Sequence, residues 1–240
     1  MTLLVAAVSS ASSAAEPSCY SRLTNEWFCR QYLEDYRQEI VDATVQHVQI
    51  TVLAVVLSVL VAFPLALVAR RLPRLETTIL AASTALYTIP SLALLPLLVP
   101  FTGLTMTTVV IGLAIYALTV LVRSMLEGLR SVPTEVRASA TGLGYGATRR
   151  LLKVELPLAL PVMMGGLRVA TVSTVALTTI GTIVSFGGLG NMISDGVLTN
   201  FRAELMTASI LCIVLAVVLD LLIVGSQWLL TPWTHRRVAT

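Results

Sequence analysis

The chain has 240 residues, 56% of them hydrophobic and 12% charged, with a formal net charge of +3. Soluble globular domains carry about 25% charged residues, and the mean hydropathy here is +0.86, so an ordinary soluble domain is excluded. Two histidines and three cysteines form no cluster at metal-ligand spacing, so no metal site is expected.

Residues 1–13 are apolar and small but lack a basic leading segment, which makes a poor cleaved signal peptide. Residues 16–42 are polar and acidic, and LEDYRQEI can form an amphipathic helix. Residues 1–47 therefore read as an extracytoplasmic or interfacial lead-in, 48–230 as a transmembrane domain and 231–240 as a cytoplasmic tail. Cys19 and Cys29 lie in the lead-in. Outside the cytoplasm they can form a disulfide or remain two thiols.

A spanning helix needs about 20 mainly apolar residues. Five runs qualify, at about 48–69, 77–100, 105–122, 158–184 and 207–230. Cytoplasmic loops carry the excess of Lys and Arg. With the N-terminus outside, the cytoplasmic segments 70–76, 123–157 and 231–240 hold eleven of the sixteen basic residues, and the outside segments hold four. The bias places the N-terminus outside and the C-terminus in the cytoplasm. It also places the longest polar connection, 123–157, on the cytoplasmic face.

That connection contains SVPTEVRASATGLGYGATRRLLKVELP. Ser131 ahead of Pro133 suits a helix start, with Ser131 at or near the N-cap. Gly142, Gly144 and Gly146 interrupt a helix. Thr148 can cap a second short helix, TRRLLKVE, expected to stop near Pro157. From these residues alone, the segment reads as two short helices on a glycine turn or as an ordinary basic loop near lipid headgroups.

The spacing Gly-x9-hydrophobic-x-Leu-Pro after small residues resembles the EAA motif of ABC importer permeases. Gly144 takes the motif's glycine, Val154 its isoleucine, and Leu156 and Pro157 its Leu-Pro. Ala138, Ser139 and Ala140 stand where the motif has Glu-Ala-Ala, so its glutamate is missing, with Glu135 one turn earlier. YTIPSLALLPLLVP, KVELPLALPVMMGGLRVA, FGGLGNMI and RQEIVDATVQHVQIT resemble the branch that takes up glycine betaine, carnitine and choline. Methionine importers share the five-span layout and a similar Gly-Gly-Leu-Gly.

The resemblance implies an all-α membrane protein with the type I ABC importer transmembrane fold: five transmembrane helices with cytoplasmic coupling helices. It implies residence in a bacterial inner membrane. Its partners would be cytoplasmic ATP-binding subunits, a substrate-binding protein, and a second permease copy or paralogue in the bilayer, with no nucleic acid. The coupling segment 131–157 would meet the ATPase through Ala138, Ser139, Ala140, Gly142, Gly144, Arg149, Arg150, Val154, Leu156 and Pro157. The chain has no G-x4-G-K-[ST] phosphate loop. No cofactor is expected in it, and ATP-Mg would bind the partner ATPase.

Within the spans, the segment from Tyr87 through Pro90 to Pro96 is a proline-bent stretch that can line a pathway or pack as a kink. Phe186, Gly187, Gly188, Leu189 and Gly190 form a turn that can act as an outer gate or a simple re-entrant loop. Arg168 and Asp220 lie at similar depth, about 16 Å from the cytoplasmic ends at 1.5 Å per residue. Intramembrane charges usually find partners, so these two are expected to approach each other. Alternatively, Arg168 snorkels. An intramembrane enzyme would need a converging catalytic set, and the spans offer only these two charges. A non-transporting membrane scaffold is the remaining alternative.

Overall fold

The computed structural model describes residues 18–233. The apolar residues 1–13, His235, Arg236 and Arg237 lie outside the described residues. The elements are α1 (Arg30–Asp35), α2 (Arg37–Arg71), α3 (Pro73–Thr88), α4 (Ser91–Thr102), α5 (Met106–Arg130), α6 (Thr134–Gly142), α7 (Ala147–Arg150), α8 (Leu156–Thr178), α9 (Leu189–Leu198) and α10 (Arg202–Leu230). A π turn, Leu151–Glu155, joins α7 to α8, and a 3₁₀ segment, Thr179–Val184, follows α8.

Four helices are long and apolar enough to cross a membrane, and α3 with α4 makes a fifth if the bent pair is one span. α2 has 35 residues, about 52 Å at 1.5 Å per residue. That exceeds a hydrocarbon core of about 30 Å. The helix therefore begins at Arg37, ten residues before the expected lead-in ends. Its buried face runs Ile50, Ala54, Ser58, Ala62, Ala66 and Ala69. Small side chains at that spacing bring neighbouring helices close, as membrane helices require. The opposite face shows Leu53, Val56, Leu57 and Leu60. α5 is the most enclosed span and packs against α2 and α8, while α10 lies at the periphery against α8 and α9, with few fully buried residues.

The second span is broken. α3 and α4 meet at 98° across Ile89 and Pro90. Pro90 cannot donate to the helix ladder, and the carbonyl of Ile89 instead accepts the Tyr116 hydroxyl of α5. Thr119 donates to the carbonyl of Ser83 at 2.7 Å, fixing α3 to the same helix. Arg130 pairs with Glu76 and holds α3 to the end of α5.

Three local expectations in the 131–157 connection are corrected. Ser131 ends α5, with its hydroxyl donating to the Gly128 carbonyl at 2.8 Å, and Pro133 is the N-cap of α6. Gly146, not Thr148, is the N-cap of α7. The helix does not stop at Pro157 but runs on from Ala147 to Val184. The π turn precedes that proline, and the Leu156 N–H bonds back to the Leu151 carbonyl. The wider turn displaces the ladder just where the proline would otherwise break it.

At the other end, the lead-in folds as a cap. Cys19 and Cys29 are disulfide-bonded. Tyr20, Tyr32, Tyr36 and Phe201 form an aromatic cluster, with Tyr32 and Tyr36 stacked at 4.7 Å. Burial, first, and nearby carboxylates push the Tyr32 phenol above its usual range. The Asn25 side chain bridges the α9–α10 corner. Its Nδ2 donates to the Asn200 carbonyl at 2.7 Å, and its Oδ1 accepts the Arg202 N–H at 3.0 Å.

Candidate functional site

Four features stand out: the α6–α7 hinge, the turn after α8, the broken span, and a charge pair between α8 and α10. The hinge is built by a left-handed residue. Gly144 has φ +77°. The Tyr145 N–H bonds to the Ala140 carbonyl at 3.1 Å and the Gly144 N–H to the Thr141 carbonyl at 3.0 Å. This is the Schellman arrangement, in which glycine takes the left-handed position just past the helix. Gly142 remains inside α6.

The turn presents an exposed face. Ala138, Ser139, Gly142 and Gly144 are exposed and Ala140 is buried. Leu143 at its tip is 78% exposed. The Arg149 guanidinium lies 4.6 Å from the Tyr145 ring centroid, a favourable cation–π distance. Val154, Leu156 and Pro157 are half-buried in the return toward the bundle. Glu135, in the first turn of α6, accepts from Thr134. Its own backbone N–H, then the Thr134 hydroxyl, hold its carboxyl below the usual range.

The turn after α8 is sewn to α2. The Gly188 N–H donates to Gln46 Oε1 at 3.0 Å. Gly188 has φ +55°, and a β-carbon there would lie 2.7–2.8 Å from the backbone and Cβ of His47. His47 Nε2 in turn donates to the Val175 carbonyl of α8 at 3.0 Å. Asn191 closes the loop from within. Its Oδ1 accepts the Gly187 N–H at 3.0 Å and its Nδ2 donates to the Ser185 carbonyl at 3.2 Å. Phe186 is half-buried, and Gly187 and Gly190 are buried against the 3₁₀ segment. Leu189 is fully buried with Tyr32, Val175 and Ala203. It packs the turn beneath the cap.

Sequence reading missed the link from Gln46 to Gly188. The signal available was a Gln-His pair at the head of an apolar run, where a polar group needs a partner. Beside this link lies an open cleft of about 500 Å³, lined among others by Glu39, Asp42, Gln46, Asn191 and Asp195. Its three carboxylates make the mouth of the turn electronegative.

Tyr87 is exposed and meets Tyr116 edge-to-face at 5.6 Å, at the break of the second span. Pro90 and Pro96 are exposed on the same bent segment. Arg168 and Asp220 form a bidentate pair, with Nε to Oδ1 and Nη2 to Oδ2 both at 2.7 Å. Their side chains are 42% and 25% exposed in the isolated chain. Hydrocarbon is a poor neighbour for such a pair.

A broken second span, a helical hinge continuous with a long span, and a glycine turn packed on the first span define an all-α membrane fold. Solved structures share this fold. The inward-facing MetNI methionine ABC transporter matches with a TM-score of 0.70 at 21% identity, covering 81% of this chain and 95% of that one. An amino acid ABC transporter crystallised with histidines matches at 0.63 and 18% identity, covering 87% and 98%. In sequence, residues 48–236 match the model of the binding-protein-dependent transport system inner membrane component, and the chain belongs to that family. It is 34% identical over 206 residues to the osmoprotectant import permease protein OsmW of Salmonella typhimurium, covering 84% of this chain and 96% of that protein. It is 31% identical over 208 residues to the choline transport system permease protein OpuBB of Bacillus subtilis, covering 87% and 96%. The protein is a permease subunit of an ABC importer, resident in a membrane.

Proposed function

We propose that this permease carries a small quaternary-ammonium osmoprotectant, such as glycine betaine, choline or carnitine, across the inner membrane of a bacterium by alternating access. The observation that carries this reading is the likeness to OsmW and OpuBB above 30% identity over more than four-fifths of the chain. The electronegative cleft beside the Gly188 turn suits a cationic head group. ATP is hydrolysed by separate cytoplasmic subunits, and a substrate-binding protein delivers the solute from outside. A second permease copy or paralogue completes the pathway.

The α6–α7 hinge lies in the cytoplasm and seats on the ATPase through its exposed face. The N-terminal cap and the 185–191 turn lie outside, where the turn acts as a gate. Tyr87, Pro90 and Pro96 border the path. The Arg168–Asp220 pair faces that path or the second permease, not lipid.

Reconstitution tests the reading. Proteoliposomes holding the permease with its ATPase and binding protein are expected to take up labelled glycine betaine, choline or carnitine when ATP is enclosed on the hydrolysing side. ATP-driven uptake of methionine alone would overturn the substrate class. No ATP-driven uptake of any solute by an assembled complex would favour a scaffold.

A further inference from the structure

One buried charge has no role in the motif. Glu155 is 2% exposed, at the end of the π turn. Both carboxylate oxygens are engaged. Oε1 accepts from Arg150 Nε at 2.8 Å, and Oε2 pairs with Arg70 in the last turn of α2. Arg150 also donates through Nη1 to Thr141 Oγ1 of α6 at 2.8 Å. The chain Thr141–Arg150–Glu155–Arg70 thus runs unbroken from the hinge to the first span.

A carboxylate is a costly choice for a buried position, and it is tolerated when paired on both oxygens. A site needing only packing would be served by Leu or Val. Charge-assisted bonds are shorter and directional, so they hold a fixed geometry where apolar contacts slide. The π turn adds a second observation, since such turns concentrate where a helix must yield or re-aim.

We propose that Glu155 and Arg70 are positioning residues for energy coupling: the Thr141–Arg150–Glu155–Arg70 chain makes the end of α2 follow α6 and α7 when the ATPase moves them. This deepens the coupling reading above and rests on it. The link transmits displacement and touches neither ATP nor solute. Without it, the hinge still docks and hydrolysis still proceeds, but the bundle follows poorly.

The test uses the whole complex in proteoliposomes, with solute uptake and ATP hydrolysis measured on the same sample. Glu155→Gln keeps the shape and removes the charge. Uptake is expected to fall about tenfold, within the usual range of coupling between sites, while hydrolysis changes much less. Arg70→Gln should behave alike, and the double variant should be no worse than either single one. Glu155→Asp should recover part of the uptake. A merely structural role would lower uptake and hydrolysis together, and that result overturns the proposal, as does additivity of the two variants. Should the Glu155 variants fail to assemble, Thr141→Val at its exposed position decides by the same ratio. In parallel, a cysteine at Ser139 is cross-linked to the ATPase subunit. Absence of that cross-link sinks the coupling reading itself. A cross-link with an unchanged ratio of ATP to solute overturns only the link.

Discussion

At Gly188 a methyl group has nowhere to go. Its φ of +55° already disfavours side chains, and the His47 backbone stands 2.8 Å from where a β-carbon would be. Gly188→Ala must therefore separate the turn from α2 and break the Gln46 bond. The expected cost is about 3 kcal/mol or more, combining backbone strain and overpacking. A lower thermal midpoint in detergent, with uptake lost, is the expected measurement. Unchanged stability would show that the turn does not need this contact. Gly144 takes the left-handed region as well but is open, with nothing near its missing side chain. The two glycines answer different demands: one a close approach, the other a helix ending.

Among the elements, the apolar runs and prolines made the spans readable. The five runs appear as α2, the α3–α4 pair, α5, the Ala147–Val184 helix and α10. Hydropathy reports where lipid begins, not where a helix begins. So the start of α2 at Arg37 was hidden, because its first turns are polar and leave the apolar layer. The passage of the helix through Pro157 was hidden too. A proline's clash depends on the turn before it, and nothing in LLKVE announces an i to i−5 ladder. At the candidate sites, the glycines and the Arg168–Asp220 pair could be named from type and depth. Glu155 could not, because its partners Arg70 and Arg150 lie 85 and five residues away and meet only in the fold. The cap makes its own prediction. Replacing Cys19 and Cys29 with serine removes the bond closing their loop, worth about 2–3 kcal/mol for a loop of this length. Faster hydrogen exchange over 18–36 is expected, with the spans still protected. Global unfolding instead would mean the cap supports the bundle as a whole.

For the whole molecule, the inside–outside assignment carries the mechanism. A cysteine at Arg149 should react with a membrane-impermeant reagent only in inverted vesicles, and one at Leu23, 89% exposed on the cap, only in intact cells. The opposite pattern would put the hinge on the wrong side for an ATPase. The Asn25 bridge to residues 200 and 202 bears on biogenesis. Its two halves are 175 residues apart, so the earliest-made part of the described chain stays unfinished until the α9–α10 corner has been translated. The lid is thus a completion mark: a truncated product, halted before Asn200, has nothing for Asn25 to grasp and leaves the Tyr20–Tyr32 aromatics without Phe201 for quality-control proteases to find.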